Sequence, residues 1–130
     1  EALYEPAIQA MELAGDIALR QEDTAGAIDA YQRTIQRINE TGFVVTKYRV
    51  TVKLANLFLD SGDLVAAEPL VGSLIESGEM PSVLRVRARY AHLRGDSDRA
   101  VELMETFKSL FPDDWTEADT EALDRYLIGT

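Results

Sequence analysis

The sequence predicts an all-α fold, an α-solenoid of antiparallel helix pairs with about seven helices. Three observations predict it. Apolar residues recur at helical spacing along almost the whole chain, turn formers interrupt them at intervals, and one pattern occurs three times.

The elements follow in order. Ile8 with Met11, Ile28 with Tyr31 and Ile35, Leu54 with Leu57 and Phe58, Val101 with Met104 and Phe107, and Leu123 with Tyr126 and Leu127 each share a helix face. Between these runs stand Glu22-Asp23, Thr41-Gly42, Gly62-Asp63, Gly78 to Pro81, Gly95-Asp96 and Pro112. Helices are therefore expected over residues 5–21, 24–39, 44–61, 64–77, 81–94, 97–110 and 116–127. Thr46 to Lys53 dissents, because it alternates polar and apolar residues and is rich in β-branched ones. A lone strand among helices has no partner for its backbone, so helix is the expectation there too.

Three segments superimpose without gaps. The first runs from Ala14 to Tyr31, the second from Leu54 to Val71 and the third from Arg87 to Met104. Gly15, Ala55 and Ala88 are the small residues of the first helices, and Ala27, Ala67 and Ala100 those of the second. Small side chains at both positions permit a close helix crossing. Asp23, Asp63 and Asp96 stand before the second helices, where a carboxylate accepts orphan backbone N–H groups. Gly62 and Gly95 stand where a left-handed helix end favours glycine.

The pattern resembles the tetratricopeptide repeat: a small residue in helix one, a Gly-Asp-type turn, then Ala and a large apolar residue in helix two. The resemblance covers nearly the whole chain and implies a right-handed superhelix of repeats over 5–40, 44–78 and 81–112, closed by a helix over 116–127. It treats 1–130 as one domain. Ala27, Ala67 and Ala100 lie 40 and 33 residues apart, against a family period of about 34. The excess is expected around Asn39 to Val45, as a longer loop or an extra turn on helix three. Glu22 departs from the turn glycine, Arg87 stands where a leucine is common, and Thr34 where Ala is preferred. In the last helix, Thr116 to Asp119 resembles a capping box. Ala118, Ala122, Leu123, Tyr126 and Leu127 form its expected apolar face, with Glu117, Asp119, Glu121 and Asp124 on wet faces.

Composition narrows the function. The chain has no Cys and a single His, His92, so cysteine chemistry and multi-histidine metal sites are excluded within it. A net charge of −10 argues against nucleic acid. No apolar run is long enough to cross a bilayer. Glu1 to Pro6 has neither a basic nor an apolar signal region, and with no initiator Met the chain reads as a piece of a longer protein. His92 has no nucleophile or orienting acid at motif spacing, so neither catalysis nor a cofactor is expected. Carboxylate pairs such as Glu12 with Asp16 and Glu117 with Glu121 read as solvated helix faces.

The resemblance implies that the first helix of each pair lines a concave groove that holds a protein or peptide. By family position, Gln9, Glu12, Asp16, Leu19, Arg49, Val52, Asn56, Leu59, Ser82, Arg85, Arg89 and His92 line it, with Lys53 beside them. Arg85, Arg89 and His92 share one helix face by spacing alone. Residues 81–110 carry six bases and four acids in an otherwise acidic chain. Two readings of this face stand open: it grips an acidic side chain or terminal carboxylate with Arg49, Lys53 and Asn56, or its arginines pair with neighbouring acidic helices. The family's chaperone-tail clamp is not expected, because Glu12 and Asp16 carry the wrong charge for it. A second function is self-association of the first helix through Tyr4, Ile8 and Met11, and a third is ligand sensing within a larger protein. Tyr31, Phe58, Phe107 and Phe111 are expected in the core. Trp115 either plugs the end of the stack or marks a contact surface.

Overall fold

The computed structural model describes residues 6–41 and 47–129, and among these it has seven α-helices and no strand. They are α1 (Pro6–Arg20), α2 (Thr24–Thr41), α3 (Lys47–Asp60), α4 (Leu64–Leu74), α5 (Pro81–Leu93), α6 (Ser97–Leu110) and α7 (Glu117–Ile128). Single 3₁₀ turns follow α4 at Ile75–Ser77 and precede α7 at Pro112–Asp114. Two compact units divide the chain, residues 1–57 and 58–130.

The three repeat turns share one hydrogen-bond pattern. The N–H groups of Asp23, Asp63 and Asp96 donate to the carbonyls of Ala18, Phe58 and Ala91 at 2.8, 2.9 and 2.9 Å. One residue earlier, Glu22, Gly62 and Gly95 donate to Leu19, Leu59 and His92 at 3.0, 3.1 and 2.9 Å. This pair of bonds is the Schellman motif, which needs a left-handed residue at its pivot. Gly62 and Gly95 supply it with φ of 77° and 91°, and Glu22 is forced to φ 61°. Each aspartate then caps the next helix, accepting from Gly26, Ala66 and Arg99 at 2.9, 3.1 and 3.2 Å. The local sequence thus closes one helix and opens the next within three residues.

In the first unit α1 packs on α2. Gly15 lies against Tyr31, and a Cβ at residue 15 would come within 2.4 Å of the Tyr31 ring. The equivalent residues of the later repeats are Ala55 with Val71 and Ala88 with Met104. The one glycine therefore coincides with the one aromatic side chain at the facing position. Thr34 is fully buried, and its hydroxyl donates to the Ala30 carbonyl at 2.7 Å, which satisfies it where the family prefers Ala.

Lys47 to Lys53 is helical, with Val50, Leu54 and Leu57 buried at i, i+4 and i+7. Thr51 donates to the Lys47 carbonyl at 2.8 Å, so its buried hydroxyl does not oppose the helix. Burial on a helical stripe outweighs the β-branched propensity; Thr46 lies outside the described residues. The extra length of the first interval appears partly on α2, which has 18 residues and reaches Thr41. The described part of α3 has 14 residues against 15 in α1; the longer loop or extra turn on helix three expected there falls on residues 42–46, which lie outside those described.

The second unit is built on α5 and α6, with α4 against α5 and α7 against α6. Leu84, Ala88, Ala91, Ala100, Leu103, Met104, Phe107 and Tyr126 form its core. The Phe107 and Trp115 rings meet at 5.2 Å, and Trp115 Nε1 donates to Thr120 at 2.9 Å, so the tryptophan packs on this core. Tyr31 and Phe107 are buried, whereas Phe58 and Phe111 are only partly so. Pro69 lies inside α4, which runs on past it into the 3₁₀ turn.

Two expectations for faces are corrected. Ile8 is 2% exposed and packs inside the first unit, and Met11 is partly covered, so they form no free apolar face; Tyr4 lies outside the described residues. The exposed large apolar residues of α1 are Leu13, Ile17 and Leu19. On α7, Ala118 and Leu127 are exposed while Asp119, expected in water, is buried. The reason is tertiary: Asp119 caps its own helix and binds an arginine of α5.

Candidate partner-binding site

Helical spacing brings Glu12 and Asp16 onto one face of α1 and Arg49, Lys53 and Asn56 onto one face of α3. In the first unit these faces meet. Arg49 donates from Nε and Nη2 to the two oxygens of Glu12 at 2.9 and 2.6 Å, a bidentate pair. Lys53 Nζ donates to Glu12 at 2.8 Å and to both oxygens of Asp16 at 3.0 and 3.2 Å. Tyr31 donates its hydroxyl to Asp16 at 2.5 Å, and Lys53 Nζ stands 5.8 Å from the Tyr31 ring centre. Asn56 is partly buried beside them on α3.

The charges in this network balance, two acids against two bases. Hydrogen bonds from Arg49, against the opposing effect of burial and with help from Lys53, hold the Glu12 carboxyl down to about 2. Burial works against the Lys53 ammonium, but its bonds to Glu12 and Asp16 prevail and raise it. Burial, then Asp16, pushes the Tyr31 phenol up. Glu12 is 7% exposed, so it is an internal acceptor that orients Arg49. The Arg49 side chain is itself 50% exposed and keeps Nη1 uncommitted to Glu12. It lines a cleft of about 460 Å³ together with Pro6, Gln9, Leu13 and Asp16.

In the second unit the Arg85, Arg89 and His92 face is engaged. Arg85 donates from Nε and Nη2 to the two Asp119 oxygens, each at 2.9 Å, and from Nη2 to the Asp114 carbonyl at 2.9 Å. Its guanidinium also stands 4.7 Å from the Phe107 ring centre. Burial alone would raise the Asp119 carboxyl, yet bonds from Arg85 and Thr116 hold it below the usual carboxylate range. Arg89 donates to Asp60 at 2.6 Å. His92 Nδ1 is 3.1 Å from the Ser97 hydroxyl, and its ring centre is 4.8 Å from that of Tyr126. Both arginines of this face thus pair with acids from other elements.

Among the described residues no group of His, Asp and Glu is arranged to hold a metal, and no helix is long and apolar enough to cross a membrane. Comparison with protein families adds the deciding observation: the model for the tetratricopeptide repeat matches residues 2–40 and 52–114. The chain belongs to the tetratricopeptide repeat family. Repeats of this family generally mediate protein–protein interaction and are typically not enzymes. No curated protein matches the chain.

Two features of this tetratricopeptide chain lay beyond sequence reasoning. The pairing of Arg85 with Asp119 joins residues 34 apart, and only its capping-box half is visible locally. The other is a cleft around Arg87, whose sequence signal was a cation standing where the family commonly has leucine.

Proposed function

We propose that this chain is a protein- or peptide-binding module, and that the α1 and α3 faces of the first unit receive the partner. This is the first-helix surface to which the family resemblance assigns ligands. The observation that carries the reading is Arg49: half exposed, fixed by its bidentate bond to Glu12, and lining the 460 Å³ cleft with donors to spare. A guanidinium already held in place loses little freedom when it binds. Leu13, 50% exposed on the same cleft, supplies apolar area. The fitting partner is an extended segment that offers an acceptor to Arg49 and an apolar side chain to Leu13.

Selection of a displayed random peptide library on the full chain tests this. Enriched peptides are expected to lose binding to Leu13→Glu, whose side chain reaches solvent, with the circular dichroism spectrum unchanged. Peptides that bind Leu13→Glu equally well refute the placement. Loss on Arg89→Glu alone moves the contact to the α5 face.

A further inference from the structure

A second cleft, of about 510 Å³, opens in the other unit between α4, α5 and α6. Arg87 and Tyr90 of α5 line it, with Arg94 just past the end of α5, Arg99 of α6 and the carboxylates Glu68 and Asp96. Its lining shares no residue with the first-helix groove faces. Its charges are not balanced pair by pair. Asp96 is taken up in capping Arg99 N–H at 3.2 Å, and the Arg99 side chain donates to Glu102 at 2.5 Å. Arg94 lies 5.6 Å from the Tyr90 ring centre. Among the described residues no acid stands within ion-pairing distance of Arg87 or Arg94.

Arg87 is the informative residue. It is partly buried, and burial pushes its guanidinium below its ordinary value. The neighbouring Arg99 charge pushes the same way, with Glu79 only opposing. A partly desolvated cation beside a like charge, opposed only by Glu79, is a weak point of the empty fold that an arriving anion relieves. The shape of the cleft narrows the anion. Its volume lies within the range of organic-ligand sites and far above that of a bare ion. Val71, Ala91 and Leu103 give it an apolar floor. Glu68 and Asp96 in its lining repel a phosphate dianion more than a monoanion. Guanidinium forks match a carboxylate in two-point geometry.

We propose that this cleft is a binding site for an apolar organic carboxylate, held by Arg87 with Arg94 and Arg99 beside it. The shared chemistry belongs to two sources, the free C-terminus of a peptide ending in aliphatic residues and a small carboxylic acid. The apolar body rests on Val71 and Leu103.

Isothermal titration calorimetry on the full chain compares three probes: acetyl-Gly-Ala-Leu-Leu as the free acid, the same peptide amidated, and acetyl-leucine. The free acid is expected to bind, and amidation to weaken it at least about tenfold through loss of the charge-assisted fork. Arg87→Leu is expected to weaken it as much, with an unchanged spectrum and no fall in melting temperature. Where Arg87→Leu does not fold, Arg94→Leu and the acid-against-amide comparison carry the test. Acetyl-leucine binding as tightly as the peptide identifies the small acid as the source; binding about tenfold weaker identifies the terminus. Equal binding of acid and amide, full binding by a folded Arg87→Leu, or no binding of any probe at about 10 mM overturns the proposal.

Discussion

Replacing Glu12 by glutamine removes the charge that Arg49 and Lys53 share and leaves the side-chain shape. The Glu12 carboxyl is lowered from 4.5 to about 2 in the folded chain. A shift of that size corresponds to about 3 kcal/mol of stability at neutral pH. The Glu12 side chain is 9% exposed but that of Arg49 is 50% exposed, so solvent screens part of the pairing. A loss of about 2 kcal/mol on Glu12→Gln at pH 7 is the expected value. Because the folded value is depressed, the stabilisation is complete above the unfolded value near 4.5 and is lost as pH falls toward 2. Urea titrations of both proteins at pH 7, 4.5 and 3 measure the difference, which should fall below half by pH 3. At about 1 M salt the pH 7 difference should shrink as well. A difference that stays constant from pH 7 to 3, or never exceeds about 0.5 kcal/mol, refutes the reasoning.

Glu22 sits at φ 61° where the other two turns have glycine, so Glu22→Gly should stabilise by about 0.5 to 1 kcal/mol in urea unfolding. A destabilisation would mean that the Glu22 side chain makes an overriding contact. Gly15→Ala places a Cβ within 2.4 Å of the Tyr31 ring, and should cost about 1 to 2 kcal/mol despite alanine's helix propensity. Adding Tyr31→Val makes room, so chemical denaturation of the double variant should show clear non-additivity. Asp119→Ala removes both the capping box and the Arg85 pair, for a loss of about 2 kcal/mol with faster hydrogen exchange through α7. Unchanged exchange there would separate the cap from the stability of the helix.

Much of this architecture is legible because its instructions are local. A Schellman turn and an aspartate cap use residues within six positions of one another, so three copies of the pattern announce three turns. Small residues at fixed repeat positions likewise announce close crossings, and all of Gly15, Ala27, Ala55, Ala67, Ala88 and Ala100 are buried. The Lys47 to Lys53 stretch shows the limit of local reading: its alternation alone points to a strand, the lack of a strand partner made helix the expectation, and burial of Val50, Leu54 and Leu57 on one stripe supplies the physical reason.

The candidate surfaces divide the same way. The family resemblance put Glu12, Asp16, Arg49 and Asn56 on the expected groove with Lys53 beside them, and spacing set Arg85, Arg89 and His92 in line. Which cation meets which anion depends on helices brought together in space, and periodicity carries no such term. Tertiary structure turned Glu12 into an internal acceptor, drew Asp119 out of water onto Arg85, and covered Ile8 while leaving Leu13 exposed. It also left Arg87 partly buried near the like charge of Arg99, with only Glu79 opposing. By itself, then, the sequence determined a set of tetratricopeptide helix pairs with their turns and caps, since those rest on bonds between near neighbours. The partners of its charges were decided only by the tertiary structure, because ion pairing depends on distance and solvent access rather than on order along the chain.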